Sequence, residues 1–254
     1  MLSHIKKEKL DVLVFENRTA LGQTAAKMVS EKIRQLLFTK PAINMVFAAA
    51  PSQNEFLDAL SNDDRIDWQK INAFHMDEYL GLLRAAPELF GSFLKKKLFD
   101  RVPFASVNYI NGDLLNYKAE CDRYSKLIKN NPADIVCMGI GENTHLAFND
   151  PHVADFNDPE IVKMVQLDLA CRQQQVNDDC FDTLNDVPEY AITLTIPALM
   201  SGTYIYCMVP GSNKAAAVKH TLDEPVSDYY PSTILKTHNN AMLFLDQDSF
   251  SKIS

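Results

Sequence analysis

The sequence predicts an α/β fold, a mostly parallel central sheet with helices on both faces. Three observations carry this expectation. Short apolar runs of strand length alternate with longer stretches of helical period. Several runs are apolar almost throughout, as strands covered on both faces require. The length, 254 residues, suits one large α/β domain, and 46% hydrophobic with 23% charged residues is ordinary globular composition. We read residues 1–254 as a single domain without repeats, low-complexity segments or a linker.

The elements follow in order. A short strand is read at "DVLVF", then a helix from Thr19 to Leu37 with apolar residues at helical spacing. "AINMVFAAA" is a strand, followed by a helix from Ser52 to Leu60 opened by a Ser52/Glu55 capping box. "KINAFHMDEY" is a strand ending in a loop, and "PELFGSFLKKKLFD" an amphipathic helix. "SVNYING" reads as a strand edge, and "AECDRYSKLIKN" as a helix stopped by Asn130-Asn131-Pro132. "ADIVCMGIG" is a buried strand, and residues 151–186 form a polar excursion read as a lid. "IVKMVQLD", "EYAITLTI" and "TYIYCMVPG" are strands, the last entering a helix at Gly211-Ser212-Asn213-Lys214, and "NAMLFLD" closes the sheet.

Charge and cysteine content exclude several classes. A net charge of −8 and a pI near 5.2 repel phosphate backbones and anionic lipid, so no nucleic-acid or membrane partner is expected. Five scattered cysteines without a CxxC pair suggest neither a disulfide framework nor a thiolate metal site, and fit a reduced cytoplasmic setting. No signal peptide and no 18-residue apolar run is seen.

In such folds ligands sit beyond the carboxyl ends of the strands, so the junctions there are the candidate sites. The first is "GIGENTHLAFNDP". Only 8 glycines occur in the chain, yet Gly139 and Gly141 stand one residue apart after a buried strand. They permit positive φ and close backbone approach, and a following helix start would aim N–H groups at an anion. His145 is a candidate general acid or base with Asp150 as its partner, or else caps a helix at a tight turn. The second junction is "FHMDEY", where Asp77 is either a base of raised pKa or a helix cap. At the third, "APSQNE", Ser52 could bind phosphate, although the capping box competes for its hydroxyl. At the fourth, Lys214 sits in the first turn of an alanine-rich helix, against the helix dipole, which points to an anion. Arg172 is a surface cation or a second cation reaching over the cleft.

Taken in order, these junctions resemble the glucosamine-6-phosphate deaminase/isomerase family, through "MDEYLGL", "HLAFNDP", "VPEYAITLTIPAL" and "GSNKAAA". The 6-phosphogluconolactonases are more distant relatives, and "AFNDP" favours the deaminase side. The resemblance implies a Rossmann-like sheet and conversion of an amino-sugar phosphate and water to a ketose phosphate and ammonia, with no metal or organic cofactor. It implies that Asp77 moves a proton between C2 and C1. His145 protonates the ring oxygen with Asp150 as partner, and Lys214, Ser52 and Arg172 hold the phosphate. Oligomers are common among such relatives. Three positions depart from the family pattern: Asn143 stands where an acid flanks the histidine, Ala49-Ala50-Pro51-Ser52 replaces a glycine-rich loop, and Asp150 replaces Glu. A lactonase using His145 to activate water, or a catalytically silent sugar-phosphate sensor retaining Lys214, are the competing expectations.

Overall fold

The structure, a computed structural model, describes residues 1–253. Its strands are β1 (Ser3–Lys7), β2 (Leu10–Phe15), β3 (Ile43–Phe47), β4 (Ile71–His75), β5 (Asp77–Tyr79), β6 (Ser106–Asn108), β7 (Ile135–Met138), β8 (Val162–Gln166), β9 (Tyr190–Leu194), β10 (Tyr204–Val209) and β11 (Ala241–Asp246). Its helices are α1 (Arg18–Thr39), α2 (Asn54–Ser61), α3 (Phe90–Leu94), α4 (Tyr117–Asn130), α5 (Leu169–Asn177), α6 (Ile196–Met200), α7 (Ala215–Asp223) and α8 (Gln247–Phe250). Eight strands form the main sheet in the order β1-β2-β11-β10-β7-β3-β4-β6, parallel except for the β1–β2 pair.

Alternation along each strand explains why both faces are covered. In β2, Leu13 and Phe15 join one buried cluster with Leu21, Val29 and Ile33 of α1, while Val12 and Val14 join the other. That second cluster takes in Tyr124 and Ile128 of α4 and Val218 and Leu222 of α7. The run "IVCM" of β7 is buried at every position, as a strand covered on both faces requires.

Several elements differ from the sequence expectation. β1 was not anticipated; it adds an antiparallel edge whose alternating half-burial is a weak signal. "NAMLFLD" does not close the sheet, since β11 lies inside it between β2 and β10. "MDEY" is no loop: β5 leaves the main sheet and pairs antiparallel with β9, which pairs with β8, giving a separate three-stranded sheet. The Ser52/Glu55 capping box does not form. Pro51 opens a 3-10 turn over Pro51–Gln53, so α2 starts at Asn54, and Glu55 accepts two hydrogen bonds from Arg18 instead. The predicted helix at 87–100 is α3 continued by a π-turn over Lys95–Phe99. The weakly patterned 151–186 segment contains β8 and α5, capped by Asp168 accepting from Cys171 N–H.

Candidate active site

The chain runs outward from β3 to β4 and β6 on one side, and outward from β7 to β10 and β11 on the other. β3 and β7 are neighbours, so their carboxyl ends mark the point where the winding reverses, the place where open α/β sheets bind ligands. A small crevice opens there. Its walls come from the segments after β3 (Ala48–Ser52), β7 (Gly139–Gly141, His145) and β10 (Lys214), from Met76 and the first residue of β5, Asp77, and from Gln174, Gln175 and Asp178 of α5 and its end. Phe90 and Phe148, stacked at 5.3 Å, give it an apolar floor, with Tyr79 packed against both and Phe181 against Tyr79.

The loop after β7 does not run into a helix, and neither of its glycines has a positive φ; Thr144 and Ala147 take that conformation instead. Gly141 is needed for close approach. A Cβ there would lie 2.2 Å from Cε1 and Nε2 of His145, so the imidazole rests directly on the glycine backbone. His145 Nδ1 donates to Asn143 Oδ1 (2.7 Å) and faces Asp150 Oδ1 (3.0 Å). Both partners are acceptors, so Nδ1 carries the hydrogen. Nε2 takes no partner from the described residues and is the ring's free nitrogen. Asp150 is fully buried. Burial disfavours its charge, but His145, Asn143 and the Asp168 backbone outweigh this and hold its carboxyl below the usual range.

Asp77 reaches the crevice by way of His75. Buried His75 accepts from Ile110 N–H at Nε2 (2.8 Å), so its Nδ1 donates to the Asp77 carbonyl (2.9 Å). Burial pushes His75 down to about 4, so the ring is a neutral bracket. The Asp77 carboxyl, 5% exposed, receives no hydrogen bond from the described residues. Burial, and then the neighbouring Glu78 carboxylate, push it well above the usual carboxylate range. Glu78 points away, accepting from the backbone N–H groups of Tyr79, Phe90 and Gly91 at 2.8–2.9 Å and so capping α3 from a distance. The paired acids therefore divide: Asp77 faces the crevice and Glu78 holds the fold.

Lys214 ends a 3-10 turn (Ser212–Lys214) before α7. Gly211 makes the entry with φ of 102°, and its N–H donates to the Asp246 carboxylate at 3.0 Å. Lys214 is only 5% exposed and forms no ion pair or side-chain hydrogen bond among the described residues. Burial lowers its pKa, opposed by Asp178 and Glu142. Asn213 donates to Glu142 (2.9 Å), tying this turn to the glycine loop. Ser52 lines the crevice and accepts from Gln53 (3.1 Å), which also donates to the Met208 carbonyl.

The structure thus brings Ser52, Asp77, His145 and Lys214 to one crevice, with Asn143 and Asp150 directly behind the imidazole. Arg172 is not among them. Its guanidinium donates to the carbonyls of Leu184 and Val187, both at 2.8 Å, because the loop after α5 turns back over it. Sequence reasoning missed His75, Gln174, Gln175 and Asp178. His75 stood within the quoted "FHMDEY", but the two glutamines lie on a helix whose buried face is polar and shows no apolar period. Gln175 is buried, lines the crevice and has an amide without a partner among the described residues. His145, Asp150 and Cys171 place ligand atoms within 4.8 Å of one another. The Nδ1 hydrogen of His145 is already committed there, so we assign no metal.

A family described as glucosamine-6-phosphate isomerases/6-phosphogluconolactonase matches residues 16–244. A glucosamine-6-phosphate deaminase of Bacillus thuringiensis (strain Al Hakam) is 30% identical over 245 residues, 96% of this chain and 90% of the relative. One from Bacillus cereus (strain B4264) is 29% identical over the same share. Among solved structures, a monomeric glucosamine-6-phosphate deaminase superposes with a TM-score of 0.85 at 25% identity, covering 94% of this chain and 98% of that one. A 6-phosphogluconolactonase from Thermotoga maritima shares the fold at a TM-score of 0.76 and 19% identity, covering 94% and 100%.

Proposed function

This chain belongs to the glucosamine-6-phosphate isomerase/6-phosphogluconolactonase family, and we propose that it is a hexosamine-6-phosphate deaminase/isomerase. Its substrate is glucosamine 6-phosphate or galactosamine 6-phosphate, and its products are a ketose phosphate and ammonia. One observation carries this: an unpaired carboxyl of raised pKa, an imidazole with a free Nε2 and an unpaired buried ammonium line the same crevice.

Lys214 and Ser52 take the phosphate, with the free amide of Gln175 as a neutral donor. Protonated at Nε2, His145 gives a proton to the ring oxygen as the C1–O bond of the cyclic sugar opens, and takes up the proton that the anomeric hydroxyl loses in becoming the aldehyde, while Asp150 stabilises the imidazolium through Nδ1–H. The Asp77 carboxylate then removes the C2 proton as His145 returns its proton to the aldehyde oxygen, leaving an enolamine, and Asp77 delivers its proton to C1. The C2 imine so formed adds water and releases ammonia, which leaves the ketone. Burial suits Asp77 to this, since a carboxylate with a raised pKa is a stronger base. We further propose that residues 1–254 act as one domain in which the 151–186 segment covers the crevice.

Ammonia release from each amino-sugar phosphate by the purified protein is the test. Turnover of either, falling at least about a thousandfold in Asp77→Asn by analogy with loss of an essential base, supports the reading. Hydrolysis of 6-phosphogluconolactone that survives Asp77→Asn, with no ammonia from either sugar, overturns it.

A further inference from the structure

We infer that Asp168 is a positioning residue that acts on His145 through Asn143. The inference rests on the proposed function only in taking His145 as the group that meets the substrate. The Asn143 amide has two hydrogens, and both go to carboxylates: Asp150 Oδ1 at 3.0 Å and Asp168 Oδ2 at 3.1 Å. Its oxygen accepts from the backbone N–H of His145 (3.2 Å) and from Nδ1 (2.7 Å). A reversed amide would set oxygen against two carboxylates and NH₂ against a backbone N–H, so the orientation is settled by chemistry. That orientation obliges the imidazole to carry its hydrogen on Nδ1 and leaves Nε2 for the crevice.

Asp168 is well placed to hold this arrangement. Its Oδ1 accepts from Cys171 N–H as the N-cap of the nine-residue α5, where the helix dipole favours a negative charge. Its own N–H donates to Asp150 Oδ2 (3.3 Å). The two carboxylates therefore flank one amide, and this accounts for Asn143. An acid at that position would put three carboxylates in mutual contact and remove both donors. Beside Asp168 and Asp150, the amide at 143 meets both carboxylates with donors and His145 with an acceptor. The titratable groups around the ring and its partners are Asp150, Asp168, His152, Cys171, Asp77, Asp178 and Lys214, with Glu142 on the same loop.

The test is a double-mutant cycle of Asn143→Asp, Asp168→Asn and the two combined, read by kcat and by the ¹⁵N signals of the His145 ring. In the combined variant the amide introduced at position 168 can cap α5 through its oxygen and donate to the carboxylate introduced at position 143, so the exchange restores one donor. We expect Asn143→Asp alone to lose about 10- to 100-fold in kcat, the usual scale for partners behind a functional histidine. Its ¹⁵N ring signals should differ from those of the wild type, and the combined variant should recover at least about tenfold. A combined variant no better than Asn143→Asp in either readout overturns the inference. Should Asn143→Asp fail to fold, Asp168→Ser keeps the cap but cannot reach Asn143. Unchanged ring signals and unchanged kcat in that variant overturn the inference equally. Altered ring signals with unchanged kcat would leave the positioning role standing and remove His145 from the reaction.

Discussion

Gly141→Ala isolates the geometry of the imidazole. The added methyl would lie 2.2 Å from Cε1 and Nε2 and 2.4 Å from Cδ2 of His145, where ordinary contact begins at 3.4 Å. The ring must retreat by about 1.2 Å, yet its far edge is already held by Asn143 and Asp150 at 2.7 and 3.0 Å, so it must tilt and lose those bonds. A misplacement of about 1 Å costs on the order of 100-fold in rate, or about 2.7 kcal/mol at ~1.36 kcal/mol per decade. Gly141 does not use a positive φ, so alanine adds no backbone strain. The expected result is a kcat about 100-fold lower in the ammonia assay, with KM little changed because Lys214 and Ser52 are untouched. Adding His145→Ala should produce no further loss beyond that of His145→Ala alone, since the two changes remove the same group. A Gly141→Ala enzyme with wild-type kcat, or full additivity of the two substitutions, would refute this account of the glycine and the histidine together.

Lys214→Met should raise KM for the amino-sugar phosphate about 10- to 100-fold, the scale of one lost charge-assisted hydrogen bond, and inorganic phosphate should no longer raise the melting temperature. Arg172→Met should do the reverse, destabilising the fold by about 1–3 kcal/mol through two unpaired carbonyls while leaving KM unchanged, as denaturant titration and steady-state kinetics together can check. Burial pushes Glu78 up to about 7 from an ordinary 4.5, so the native state holds its proton longer than the unfolded chain does. Its contribution is fully present below about pH 4.5 and is lost as pH rises through about 7, on the order of 3 kcal/mol; Glu78→Gln should show a shallower decline of urea midpoint over that window. Because Asp77 must be ionised to act and is pushed well above the usual range, the acid limb of the kcat/KM profile should lie well above pH 4.

Apolar run length and the character of the junctions determined much of this protein from the sequence alone. Near-continuous runs such as "IVCM" need cover on both faces, so the parallel sheet was legible, as were the strand ends beside which Asp77, His145 and Lys214 stand. These signals are local: they depend on neighbours in the chain, which is all a single sequence displays. What the tertiary structure decided depends on partners distant in the chain. Whether "MDEY" is a loop or a strand was settled by β9, more than a hundred residues later, and whether Glu55 caps a helix was settled by Arg18 on α1. Arg172 read as either a surface cation or a second cation for the cleft, and the carbonyls of Leu184 and Val187 hold it instead. The reason for Gly141 was equally hidden, since it is the face of a histidine ring and not a φ angle. Asn143 reads in sequence as a missing acid, and only the arrival of Asp168 beside it shows an amide shared by two carboxylates.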